Sequence, residues 1–199
     1  MDRRQRKTRK AILEACLSLI QEKDFQQITV HEITKRADIN RGTFYLHFED
    51  KYDMLNSFEN EMIDKIEEVI VSNLPEEPSN ELFLKSRYDT IVQILTCYEE
   101  NKELLQFLLK ANYFSFQAKL RKKLKSILTD IIFPKLKTLE EKIPADLFVI
   151  VFTSISLSLA EYAYESKQPI DIDDLATFLF NIVLQGPAKT IGLLPSDQK

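Results

Sequence analysis

The chain has 199 residues, 44% of them hydrophobic, but only three glycines, two histidines, two cysteines and no tryptophan. Average usage predicts about fourteen glycines; that deficit, with no G-x-G-x-x-G or G-x-x-x-x-G-K, excludes glycine-rich phosphate cradles. The formal charge of −4 is uneven: residues 1–51 hold 11 Lys/Arg against 8 Asp/Glu, and the remainder holds 16 against 23.

No H-E-x-x-H, C-x-x-C or paired Cys/His spacing occurs, so no metal site and no other cofactor is expected. Cys16 and Cys97 each sit in apolar helical pattern and read as buried small hydrophobes of a reducing compartment. The first apolar stretch, residues 11–20, contains Glu14 and does not read as a signal peptide. The longest uncharged run, residues 147–160, is too short for a bilayer span of about 20 residues. The expectation is a cytoplasmic protein with no membrane partner.

Residues 1–10 carry six basic side chains against Asp2 alone, a basic arm suited to a polyanion. From Thr8 to Glu22, the spacing of Ile12, Ala15, Cys16, Leu19 and Ile20 predicts a first amphipathic helix. Phe25 should fold back onto the core. Thr29 followed by Glu32 predicts a capping box that starts a short second helix over residues 30–37. Residues 38–40 form a tight connection, Asn40 caps a third helix over residues 41–48, and Asp50 caps a long fourth one.

Pro75 and Pro78 mark the clearest break. Helices follow at about 80–99, 102–111, 115–140, 145–166 and 172–185, with Pro134 kinking or splitting the third of these. The chain therefore reads as all-α with about nine helices. A three-helix N-terminal domain, residues 1–51, precedes a C-terminal helical domain, residues 52–199.

The second and third helices have the proportions of a helix-turn-helix, whose second element enters the major groove N-terminus first. Phe44 and Phe48, spaced i, i+4, can dock inward and fix the direction of the third helix. Its first turn is then Arg41, Gly42 and Thr43. Arg41 carries a fork for guanine, Thr43 can meet a thymine methyl or a phosphate, and Gly42 lets backbone come close. Tyr45 and His47 have polar tips for phosphates. Lys51, at the start of the fourth helix, joins the helix amides as a further phosphate site. Thr29 is a similar candidate, and His31 can reach the groove edge.

The run Ile28-Thr-Val-His-Glu-Ile-Thr-Lys-Arg-Ala-Asp-Ile-Asn-Arg-Gly-Thr-Phe-Tyr-Leu-His-Phe-Glu-Asp-Lys-Tyr-Asp-Met-Leu55 resembles the DNA-binding signature of TetR-like (TetR/AcrR) transcriptional regulators. The resemblance covers about residues 8–56. It implies groove contacts from His31, Arg41, Gly42 and Thr43, and phosphate contacts from Thr29, Tyr45, His47 and Lys51. Asp38 departs from the glycine common in that turn, although Asp tolerates a left-handed backbone better than most residues.

Residues 147–160 are apolar nearly all round, and Leu175, Phe178, Leu179, Ile182 and Val183 form one stripe. A helix apolar on every side needs cover on every side, which predicts a homodimer through residues 145–185. Such a dimer fits half-sites about 34 Å apart, or a multiple of that. The resemblance further implies an apolar small-molecule effector, for which Tyr88, Tyr98, Phe107, Tyr113 and Phe152 are candidate pocket residues.

The expected function is a sequence-specific regulator, a dimeric repressor that binds double-stranded operator DNA and is released by an effector. The alternative is a non-enzymatic helical protein-interaction module or coactivator. An enzyme is not expected, because both histidines lie in the reading head and leave no acid/base constellation elsewhere.

Overall fold

The computed structural model describes residues 2–74, 80–110, 116–132 and 171–190, with positions 147, 150, 151, 153–155, 158 and 162 between them. The regular structure among the described residues is helical, with no strand. They belong to two compact units, Met1–Met62 and Ile63–Lys199, and this division falls within the fourth helix.

In the first unit, α1 (Arg3–Ile20) leads to a 3-10 turn (Phe25–Gln27), then α2 (Val30–Arg36), α3 (Arg41–Tyr45) and the start of α4 (Lys51–Ser72). Helix α1 begins five residues before the expected Thr8, so the basic decapeptide is mostly its first turns and not an extended arm. Arg and Lys are good helix formers. The Thr8 hydroxyl bonds back to the Arg4 carbonyl at 3.1 Å, and Lys10 pairs with Glu14 at i, i+4.

Ile12, Cys16, Leu19, Phe25, Ile28, Ile33, Phe44, Phe48, Met54, Leu55 and Phe58 are buried and supply the core of this unit. Burial pushes the Cys16 thiol up to about 12, so it packs as a neutral hydrophobe. Arg36 ties α2 to α1 through Ser18 and Glu22. Asp38, in the turn after α2, has a φ of 52°, the left-handed backbone that glycine would adopt freely.

In the second unit, α5 (Asn80–Glu100), α6 (Lys102–Lys110) and α7 (Phe116–Ser126) follow α4, and α7 runs on as a π-helical turn, Ile127–Ile132. After the helical positions between 147 and 162 comes α8 (Ile172–Thr190). Helices α5 and α8 pack through Ile91, Leu95, Leu175, Ala176 and Leu179, with Tyr88, Ile155 and Phe180 at the edge. Helix α8 passes Gly186 and Pro187 instead of stopping at 185. A proline removes one backbone donor without by itself forcing a stop. Pro134, expected to kink a helix, lies outside the described residues.

Cys97 is only partly buried, unlike Cys16. It flanks the Ile91, Leu95 and Tyr98 stripe of α5, and Asn101 Nδ2 donates to its carbonyl at 2.7 Å.

Candidate nucleic-acid interface

Helix α2 starts at the expected capping box. The Thr29 hydroxyl oxygen accepts from the Glu32 amide, and the Glu32 carboxylate accepts from the Thr29 amide at 3.0 Å. Lys23 also donates to that carboxylate. Hydrogen bonds from Lys23 first, then from Thr29, hold the Glu32 carboxyl down to about 2. Thr29 is exposed, but its hydroxyl donates to Glu32 as well, so a phosphate must compete with that bond.

The connection closes through Ala37 N to Ile33 O at 2.8 Å and Ile39 N to Thr34 O at 3.0 Å. Asn40 holds the N-cap position of α3 without a side-chain cap bond. Helix α3 ends at Tyr45, earlier than the expected residue 48, and the chain leaves it through His47 N to Phe44 O and Phe48 N to Phe44 O.

The two phenylalanines dock as their spacing required. Phe44 is 0% and Phe48 3% exposed; their centroids are 5.6 Å apart, and Phe48 lies 5.6 Å from Phe58. The opposite side of α3 is open. Arg41 and Gly42 are exposed, Tyr45 is 46% exposed and Leu46 84%. A Cβ built on Gly42 would meet nothing within 4 Å, so packing gives no reason for glycine there. Arg41 Nη2 donates to the Tyr45 hydroxyl at 3.2 Å, with the guanidinium 5.6 Å from the ring centroid. His31 is exposed, whereas Thr43 and His47 are half-buried, the latter against Phe48.

Lys51 is the exception among the expected contacts. Its ammonium donates to the carbonyls of Phe25, Gln26 and Ile28 at 2.8, 2.8 and 2.7 Å, which uses all three of its protons. Burial lowers its pKa. The α4 amides expected beside it are also occupied, because Asp50 Oδ1 accepts from Tyr52 N at 2.7 Å and Asp53 N at 2.8 Å. A phosphate at this helix start therefore has neither a free ammonium nor those two amides.

Leu46 and Arg9 were missed by sequence reasoning. Leu46 lies off the Phe44/Phe48 stripe, and that offset was its only signal. Arg9 belongs to the basic run but turns inward, with its guanidinium 4.5 Å from the Phe48 centroid and paired with Ser57 and Glu61.

Of the candidate effector residues, Tyr88, Tyr98 and Phe107 are described. The Tyr88 hydroxyl lies 3.3 Å from Thr177 Oγ1 and its ring meets Phe180 edge-on, within the α5–α8 packing. Tyr98 is buried ten residues further along α5, and burial raises its pKa. Phe107 is half-buried on α6, and Tyr113 and Phe152 lie outside the described residues. Among the described residues no group of three or more His, Cys, Asp or Glu could hold a metal ion, and no helix is long and apolar enough to cross a membrane.

Comparison with known proteins agrees with this geometry. The profile of "Bacterial regulatory proteins, tetR family" matches residues 12–58. The HTH-type transcriptional regulator YxbF of Bacillus subtilis is 24% identical over 103 residues, 52% of this chain; the match spans about a quarter of that relative's length (27%). The crystal structure of a protein assigned to the TetR family from Syntrophomonas wolfei superimposes with a TM-score of 0.72 at 18% identity, covering 96% of this chain and 99% of that one. FadR of Bacillus subtilis, solved in complex with stearoyl-CoA, gives 0.63 at 21% identity, covering 88% and 97%. These likenesses establish the fold: a helix-turn-helix head followed by a helical body. Over residues 12–58 the chain is similar to the DNA-binding domain of bacterial regulatory proteins of the tetR family.

Proposed function

We propose that this chain is a sequence-specific transcriptional regulator, a cytoplasmic homodimeric repressor that reads operator DNA with α3 and is released by an apolar effector. The observation that carries the reading is the two-sidedness of the segment formed by α3 and the turn after it, residues 41–48. Phe44 and Phe48 bury one side, while Arg41, Gly42 and Tyr45 stand open on the other with free space at the glycine. Arg41 and Gly42 supply the groove contacts, with His31 and Thr43 beside them; Tyr45, His47 and Thr29 meet phosphates. A long cationic fork next to a residue without a side chain suits close approach to base edges.

Dimerisation through residues 145–185 is supported by exposure in the second unit. Leu147, Ile150 and Val151 are 51%, 45% and 49% exposed, Tyr162 63%, and Phe178 on α8 39%. Positions 147, 151, 154, 158 and 162 recur at helical spacing, and all are exposed. A stripe of this kind, rich in apolar and small residues, suits a self-complementary two-fold interface. The effector is an apolar acyl compound in the manner of the stearoyl-CoA bound by FadR, and it acts by binding the two states of the dimer unequally.

The test is selection of duplexes from a random pool by the full chain, followed by mobility shifts across a salt series. A selected site whose binding weakens steeply with salt is expected. Failure to enrich any duplex would overturn the reading. Addition of stearoyl-CoA should release the selected duplex.

A further inference from the structure

The three carbonyls that Lys51 binds belong to the segment that enters the helix-turn-helix, residues 25–28, and Lys51 itself stands where the chain leaves it. Between the two lie α2, the turn at Asp38 and α3. Phe25 is 3% and Ile28 1% exposed, so the entry is anchored in the core. The Lys51 ammonium also lies 4.9 Å from the Phe25 ring centroid and 5.2 Å from that of Tyr52. Those two rings meet edge-on at 5.7 Å. One cation thus joins entry and exit through three hydrogen bonds and two aromatic faces.

We propose that Lys51 is a positioning residue of the reading head: its ammonium clamps the entry of the helix-turn-helix to its exit, setting the angle at which α3 presents Arg41, and it makes no phosphate contact. This rests on the DNA-binding reading above. Base readout depends on the direction of the Arg41 fork, whereas contacts to a uniform phosphate backbone tolerate small rotations. Loosening the clamp therefore lowers specific binding more than non-specific binding. Removing a phosphate contact lowers both together and reduces the salt dependence.

The experiment compares wild type, K51M and K51R as full chains. Each is titrated with the duplex that wild type selects from a random pool and with a scrambled duplex of the same length, over a range of salt. For K51M, affinity for the selected duplex should fall about tenfold, the size of losing one good base contact. Affinity for the scrambled duplex should stay nearly constant, and the slope of log K against log salt should not change. K51R should behave like K51M, because a planar guanidinium cannot aim three donors at three converging carbonyls.

A slope smaller by about 0.9, the signature of one lost phosphate, with both duplexes weakened equally and K51R restored to wild type, overturns the proposal. Unchanged specific affinity in a less stable K51M overturns it too, leaving Lys51 a matter of folding alone. If K51M does not fold, the wild-type ammonium is followed by nitrogen-15 NMR. Protection from exchange without DNA, unchanged by the selected duplex, is expected; protection that arises only with the duplex refutes the clamp. A wild type that selects no duplex defeats the DNA-binding reading itself, which is a separate result.

Discussion

The guanidinium of Arg9 lies over the ring of Phe48, 4.5 Å from its centroid, and 5.3 Å from that of Phe58. Its side chain is 12% exposed and reaches Ser57 Oγ at 2.8 Å and the Glu61 carboxylate. A residue of the basic N-terminal run thus holds the end of the recognition segment against α4. Cation–π contacts contribute about 0.5–2 kcal/mol according to their desolvation. Arg9→Gln should lower stability by about 1–2 kcal/mol in urea denaturation and leave the salt slope of DNA binding unchanged. A slope reduced by one phosphate would show that Arg9 faces DNA instead.

Gly42 separates the demands of folding from those of binding. Because its Cβ position is open, Gly42→Ala should raise stability by up to about 1 kcal/mol through helix propensity. The same methyl should weaken binding to the selected duplex, where the backbone must approach closely. Thermal melting and mobility shifts on one preparation check both. A variant that gains stability and keeps full affinity would place α3 further from the groove.

The turn at Asp38 makes a prediction about backbone alone. With φ at 52°, Asp38→Ala should cost about 1 kcal/mol, and Asp38→Gly should be at least as stable as wild type. Denaturation midpoints in the order Gly, Asp, Ala are expected. An alanine variant as stable as wild type would mean that the turn relaxes to a right-handed conformation.

Glu32 sets an acid limit on the reading head. Its carboxyl is held at about 2, below the usual 4.5, by Lys23 and Thr29. Its contribution to stability is therefore complete above pH 4.5 and is lost as the pH falls through 2. Glu32→Gln should flatten that part of the stability profile, measured as urea midpoints between pH 2 and 5. An unchanged profile would place the acid sensitivity elsewhere.

The apolar stripe of the second unit is tested by charge. Val151→Glu puts a carboxylate at a position 49% exposed, harmless on a free surface and costly in an apolar interface. Light scattering should show the mass falling from two chains to one, with loss of binding to a two-fold symmetric duplex. A dimer that persists would move the interface off this stripe.

The features legible in the sequence are those that depend on residues a few positions apart. The capping box of Thr29 and Glu32 needs three residues, the docking of Phe44 and Phe48 needs one helical turn, and the composition excludes the phosphate cradle. From these the helical fold and the place of the reading head follow directly. What only the tertiary structure decided is which charges of that head face solvent. Lys51 bonds to carbonyls 23, 25 and 26 residues back in the chain, and Arg9 reaches side chains near the start of α4. Such pairings leave no period in the sequence, because they depend on where the folded chain returns. A lysine at a helix start reads equally well as a phosphate ligand or as a clamp until the carbonyls around it are known.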